Sequence, residues 1–278
     1  MRKRMLSAAM AGMMVVSMTA CGGSKQAETT AAATEAETTA AESAAEESSA
    51  EETKAAADIE TVTPGKLTVA TSPDFAPYEF YAIGEDGTPK LAGFDMDLAQ
   101  YIADYLGLEL EVVTVDFDGV ISELQTKSVD LGMAGLSPDE KRMGIMDFSD
   151  LYYMGGQSLV TVKDNAEKYN SFEAINKPDV SVGAQVGSIQ MDLANENSPE
   201  ADIVGLPKVT DIISELLTGK MDAAYIETDV AKSYQKNYPE LTLVMDVPYD
   251  AEGSAIGVCK GNEALLAGVN EAIAAAKE

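Results

Sequence analysis

Arg142, in "SPDEKRMG" (137–144), is the one arginine outside the first four residues; Arg2 and Arg4 are the others. A guanidinium stays charged at ordinary pH and presents paired N–H donors that match a carboxylate. "SPDE" reads as a helix start, with Ser137 as N-cap, Pro138 in the first helical position and Glu140 closing a capping box. Such a terminus leaves backbone N–H groups free for an anion. The alternative is a surface ion pair of Arg142 with Glu140 or Asp147. A second anion-accepting terminus is expected in "VGAQVGSIQMDLANE" (182–196), where a strand turns into a helix at Gly187, Ser188 and Ile189. An ordinary strand–helix turn is the plainer reading there. Glu227, just past "MDAAYI" (221–226), offers a carboxylate to an ammonium group; otherwise it is a solvated acid at a helix start. An arginine, two helix termini and a carboxylate together suit a zwitterion.

The elements that would position these residues follow from hydrophobic spacing. "KLTVATS", "LELEVVTV" and "VDLGMAG" read as strands, and "GFDMDLAQYIADYLG" and "DGVISELQTK" as helices. In the first helix the apolar residues fall at 94, 98, 102, 105 and 106, and Gly107 suits a C-terminal cap. The pattern restarts near residue 180: strands "VSVGAQ", "ADIVGL" and "MDAAYI" alternate with helices from about 188, over "VTDIISELLTG", and over "TDVAKSYQKN". Alternation of this kind predicts an α/β fold with mostly parallel sheets. "ISELQTKSVD" (121–130) and "ISELLTGKMD" (213–222) agree at six of ten positions. Either helix exits share their chemistry by coincidence, or two lobes share one topology. In the second case "AGLSPDEKR" and "YIETDVAK" follow equivalent strands, whose carboxyl ends face each other across a cleft.

Composition narrows the function. The 278 residues carry a net charge of −28, which argues against nucleic acid and against docking on anionic lipid. There is no histidine, so a Ser-His-Asp triad is impossible and the commonest metal ligand is missing. No cofactor is expected. Two cysteines, Cys21 and Cys259, do not make a disulfide framework, and Cys259 is expected to be a partly buried thiol. Residues 1–20 read as a secretory signal, basic and then apolar, too short for a membrane span. It ends in "MTAC", which resembles a lipobox with Cys21 as the lipidated residue; ordinary cleavage is the alternative. Residues 22–63 hold ten acids and two lysines among Ala, Glu, Ser and Thr. They cannot bury enough to offset ordering entropy, so residues 21–63 are expected to be a lipidated cysteine with a disordered tether.

From Lys66 onward the chain resembles the extracellular solute-binding proteins of ABC transporters, in their polar amino-acid family. The resemblance rests on the ordered series "ATSPDFAPYEF", "GFDMDLAQYIADYLG", "DFDGVISELQTKSVDLGMAGLSPDEKR", "MDFSDLYY", "VGAQVGSIQ" and "DAAYIETDVA". It implies a two-lobed, hinged periplasmic-binding-protein fold of type II. Lobe 1 would take 64–153 plus 254–278, lobe 2 would take 158–248, and the crossings would lie near "YYMGG" and "YDAEG". It implies that Arg142 binds the α-carboxylate of an amino acid, helped by Ser137, the backbone of Gly135, and the backbone of Gly187, Ser188 and Ile189. Glu227 would hold the ammonium where the family usually has aspartate. Phe75 and Phe117 would be apolar walls, with core packing as the alternative for each. Ser72 stands where several relatives selective for basic or amide ligands carry an acid, and Asp74 joins it in the ligand-contacting set. The acids Asp74, Glu79 and Glu227 lean toward a neutral polar or cationic ligand. The implied function is non-enzymatic: a monomer, lipid-anchored on the extracytoplasmic face of a bacterial membrane, delivering an amino acid to a permease and its ATPase. The alternatives are a ligand sensor or scavenger serving a separate receptor, and a dehydratase with Glu227 or Asp74 as general acid.

Overall fold

The computed structural model describes residues 59–250 and 253–278. The signal peptide, Cys21 and most of the expected tether lie outside the described residues. Among those described, no helix is long and apolar enough to cross a membrane.

Two five-stranded sheets organise the chain. Strands β1 (Lys66–Thr71), β5 (Glu109–Thr114), β6 (Leu131–Gly132), β7 (Met146–Phe148) and β13 (Gly257–Cys259) form the first, in the order β5-β1-β6-β13-β7. Strands β8 (Gln157–Val162), β9 (Ser181–Gln185), β10 (Asp202–Leu206), β11 (Ala223–Glu227) and β12 (Leu241–Val247) form the second, in the order β10-β9-β11-β8-β12. The orders superpose, and so do the directions. In each sheet three parallel strands come from consecutive strand–helix units, and the fourth runs antiparallel to its neighbours. The repeated "ISEL" helices, α2 (Phe117–Gln125) and α6 (Val209–Leu217), lead into β6 and β11, equivalent places in the two lobes. The echo in the sequence therefore has a topological counterpart.

A small antiparallel sheet of β2 (Asp74–Phe75), β3 (Glu79–Ile83) and β4 (Pro89–Ala92) extends the first lobe. Helix α1 (Phe94–Tyr105) follows it. Gly93 enters that helix at φ 128°, and a Cβ there would lie 2.1 Å from the Tyr78 carbonyl, so only glycine fits the turn. The buried face of α1 is Asp95, Met96, Leu98, Ala99, Ile102 and Ala103. Phe94 and Tyr105, assigned to the apolar stripe from spacing, are exposed. Ala99 and Ala103 are small enough to bring the helix close against the sheet, while Phe94 turns to the rings of Tyr152 and Tyr153.

The chain leaves the first sheet after Phe148 and the second after Val247, and Tyr153 and Ser254 meet in an antiparallel bridge. Residues 59–63, expected in the tether, lie instead on the first lobe. Ile59 packs against its core, the Val62 N–H donates to Asp130 at 2.7 Å, and the Glu60 carbonyl accepts from Asn262 at 2.8 Å. One apolar residue and these bonds hold a segment that composition alone assigns to disorder. Cys259 is buried, its thiol donating to the Val129 carbonyl, with burial raising its pKa.

Candidate functional site

Arg142 is buried at 6% exposure, so it is not a surface ion-pair residue. Its helix is the short α3 (Glu140–Met143), and the N-cap is Asp139. Ser137 does not cap it. The Asp139 carboxylate accepts from the Arg142 N–H at 2.9 Å, and its other oxygen lies 3.1 Å from the guanidinium Nε. One aspartate thus closes the helix and orients the arginine. Of the two acids weighed as partners, Asp147 pairs with Lys260, and Glu140 is in none of the described ion pairs.

Two further donors of the guanidinium are engaged. One goes to the Ser137 carbonyl at 2.8 Å and one to the Gly187 carbonyl at 3.0 Å, across the lobe boundary. The Phe117 ring lies 5.6 Å from the guanidinium carbon, a cation–π distance. Each terminal nitrogen thus spends one N–H on a carbonyl and keeps one more. Burial pulls the pKa of Arg142 down while Asp139 and Asp192 oppose that.

The second helix start lies where the sequence places it, at Gly187, Ser188 and Ile189. Helix α5 (Ile189–Asn197) is capped by Ser188, whose hydroxyl accepts from the Met191 N–H. The Ser188 N–H itself goes to the Gln185 carbonyl at 3.3 Å. The first-turn N–H groups of Ile189 and Gln190 have no intrahelical acceptor. Gly187 contributes its carbonyl to Arg142. Gly135 differs from expectation: its N–H donates to Asp95 at 3.0 Å and is not free for a ligand. Its lack of a side chain matters instead, because a Cβ there would lie 2.8 Å from the Phe75 ring.

Asp95 belongs to a buried polar knot beneath this point. The Tyr152 hydroxyl lies within 3.0 Å of both its oxygens. Burial raises its pKa to about 6. Glu79 beside it is fully buried, and neither of its oxygens meets an N–H or O–H donor among the described residues. Burial, and then the neighbouring Asp95 carboxylate, push Glu79 well above the usual carboxylate range. Burial and the like charge beside it therefore both disfavour an ionised Glu79.

Glu227 ends β11 and caps α7 (Thr228–Asn237) through the Val230 N–H at 2.8 Å. It is buried at 5% exposure and makes no ion pair among the described residues. Burial raises its pKa. A Cβ placed on Gly155 would lie 2.8 Å from Glu227 Oε1 and 3.5 Å from the Tyr78 hydroxyl. Tyr78 is thus a neighbour of the candidate ammonium site. Phe75 stacks on Tyr78 with ring centroids 5.6 Å apart.

Ser72 and Asp74 form a separate group. The Ser72 hydroxyl donates to Asp74 at 3.0 Å, and the Asp74 carboxylate is taken up by the second lobe, at the Val209 N–H and Gln185. With Glu79 fully buried beside Asp95, the lean toward cationic ligands rests on Glu227. A cavity of about 490 Å³ adjoins this group, walled by Ser72, Asp74, Thr114 and Asp116 of the first lobe and by Lys208 and Thr210 of the second. One of about 510 Å³ sits at the Glu60–Val62 junction, far from any of these groups. Sequence reasoning missed Asp139, Tyr78 and the buried pair Gln157–Gln190, joined at 2.8 Å, although Tyr78 and Gln190 stand in stretches it singled out.

Comparison with known proteins bears on this geometry. A family model described as bacterial extracellular solute-binding proteins, family 3, matches residues 67–278. The arginine-binding extracellular protein ArtP of Bacillus subtilis is 35% identical over 202 residues, 71% of this chain and 76% of that one. The cyclohexadienyl dehydratase of Pseudomonas aeruginosa is 29% identical, over 65% of this chain and 66% of that one. An amino acid ABC transporter substrate-binding protein from Streptococcus pneumoniae, solved bound to L-arginine, superposes with a TM-score of 0.73. It is 34% identical, over 77% of this chain and 88% of that one.

Proposed function

From the premise that this chain belongs to the bacterial extracellular solute-binding proteins, family 3, we propose how it works as a lipid-anchored receptor for its transporter. It is the amino-acid-binding component of an ABC transporter and not an enzyme. In the proposed reading, lobes 64–153 plus 254–278 and 158–248 close on one amino acid and present it, closed, to the permease and its ATPase. The observation that carries this is a buried arginine on one lobe and a buried carboxyl group on the other, at 6% and 5% exposure. Arg142 keeps two N–H donors at the seam, and Glu227 has no cation among the described residues. A free amino acid brings the complement of both. Arg142 takes the α-carboxylate, with the Ser137 hydroxyl and the first-turn N–H groups of α5. Glu227 takes the ammonium beside Tyr78, and Phe75 and Phe117 wall the carbon chain. The side chain extends toward the cavity that holds Ser72, Asp116 and Lys208.

L-Arginine is the first ligand to try, because it is named for the B. subtilis relative and the S. pneumoniae structure. The test is a thermal-shift screen of the common amino acids and cystine. A ligand at a hundred times its Kd should add roughly 2.7 kcal/mol of stability, and one or a few related amino acids should stand out. A flat response across the panel overturns the proposed function.

The anchor rests on "MTAC" and the polar residues after it. Cys21→Ser should leave the folded protein intact and release it from membranes. Fractionation of cells expressing each form checks this, with mass spectrometry of the N-terminus to detect an uncleaved signal. A variant that stays with the membrane after correct cleavage removes lipidation from the proposal.

A further inference from the structure

Helix α6 has no side-chain cap of its own: its N-cap residue is Lys208, and no side chain of the second lobe takes the first N–H. The acceptor comes from the other lobe. The Asp74 carboxylate receives the Val209 N–H across 135 residues of sequence. Two more hydrogen bonds and an ion pair surround it. Gln185 approaches the same oxygen at 3.5 Å, the Tyr234 hydroxyl donates to the Asp74 carbonyl at 2.8 Å, and Lys208 lies 3.7 Å from Asp116 of the first lobe. Phe75 and Tyr78, next along the chain, pack into the core of the second lobe with Val160, Val209 and Ile226. An acid at a helix N-terminus satisfies an orphan donor and faces the positive end of the helix dipole. Here that stabilisation exists only while the lobes are together.

We propose that Asp74 is a closure latch, a positioning residue that caps α6 from the opposite lobe and favours the closed arrangement whether or not an amino acid is present. It rests on the reading of the cleft as one that closes, but it assigns Asp74 to the lobes and not to the ligand. When the lobes part, Val209 regains an unpaired N–H and Asp74 loses its main acceptor role, so opening carries an intrinsic cost. A ligand then binds a cleft already biased toward closure, and its apparent affinity rises with the closed fraction.

The donor can be removed as cleanly as the acceptor. Val209 stands at the first helical position, where proline is accepted, and Lys208 has the extended backbone, φ −124° and ψ 137°, that a residue before proline needs. Val209→Pro therefore deletes the N–H while keeping the helix start, and Asp74→Ala deletes the carboxylate. Spin labels at Gln100→Cys on one lobe and Glu196→Cys on the other, in the full chain with Cys21→Ser, read the interlobe distance by electron resonance without ligand. The wild type should show a closed population. Each variant should shift the open-to-closed ratio roughly ten- to hundredfold, the range for a bond to a charged group. Asp74→Ala in the Val209→Pro background should add little. In titrations, affinity for L-arginine, L-histidine and L-cystine, for whichever of them bind, should fall by one common factor. Ligand-free distances that are the same in wild type and Asp74→Ala overturn the latch. So does a loss of affinity that differs between ligands, which would make Asp74 a ligand contact. If no amino acid of the whole thermal-shift panel binds, the proposed function fails while the distances still decide the latch. Circular dichroism of Val209→Pro confirms its fold, and Asp74→Ala decides alone if that variant does not fold.

Discussion

Replacing Arg142 with methionine should weaken amino-acid binding by roughly 30- to 4,000-fold, about 2–5 kcal/mol, the cost of leaving one partner of a buried charge pair alone. Methionine keeps much of the stem's apolar volume against Phe117 but supplies no donor, so the ligand carboxylate would enter a desolvated seam without its cation. Arg142→Lys should fall between, because it keeps the charge and loses the planar fork. The protein's stability should suffer as well, by about 1–3 kcal/mol, since the Ser137 carbonyl and Asp139 each lose a buried partner. This exceeds what a surface ion pair would give, and it follows from the 6% exposure of Arg142. Calorimetric titration of the three proteins, each first checked by thermal unfolding, separates the two losses. Binding by Arg142→Met within about threefold of wild type, ~0.7 kcal/mol, would show that the carboxylate is held elsewhere.

Glu227→Gln should cost about 1.5–3 kcal/mol of binding, roughly 10- to 150-fold. The glutamine carbonyl can still accept the Val230 N–H, so the cap on α7 survives and the change isolates the charge. The discriminating ligand is a desamino analogue of the amino acid identified in the screen. It lacks the ammonium, so wild type and Glu227→Gln should bind it alike within about threefold, ~0.7 kcal/mol. If the substitution weakens both ligands equally, Glu227 acts through the structure and not through an ammonium.

Local chemistry was readable in the sequence, and long-range partnership was not. Ser188 as a helix cap follows from four adjacent residues, and the shared topology of the lobes follows from a ten-residue echo. The short helix holding Arg142 was misread because Ser137 and Asp139 are both good caps. The choice between them depends on which one also reaches the guanidinium. Gly135 was expected to offer its N–H to a ligand, yet Asp95, forty residues earlier, already accepts it. Asp74 and Glu79 stand with Glu227 in the lean toward a neutral polar or cationic ligand, which weighs charge alone. Strand alternation and chain geometry send one to the second lobe and the other to a buried pair with Asp95. No spacing rule names a partner 135 residues away, and such partners decide which carboxylates remain for a ligand.

The placement of β13 also sets an order of assembly. This strand lies between β6 and β7 in the first sheet, while the strands of the second sheet all fall between residues 157 and 247. A chain emerging from its N-terminus completes every strand of the second sheet before the first sheet receives its fifth. Until residues 257–259 arrive, β6 and β7 face each other across a gap, with backbone groups unpaired on both sides. The second lobe can therefore mature early as a continuous piece, and the first is the part that must be kept from sticking to other chains. A premature stop between 248 and 256 would spare the strands of one lobe and leave the other without a closed sheet. The last strand made thus decides whether the lobe that holds Arg142 has a closed sheet.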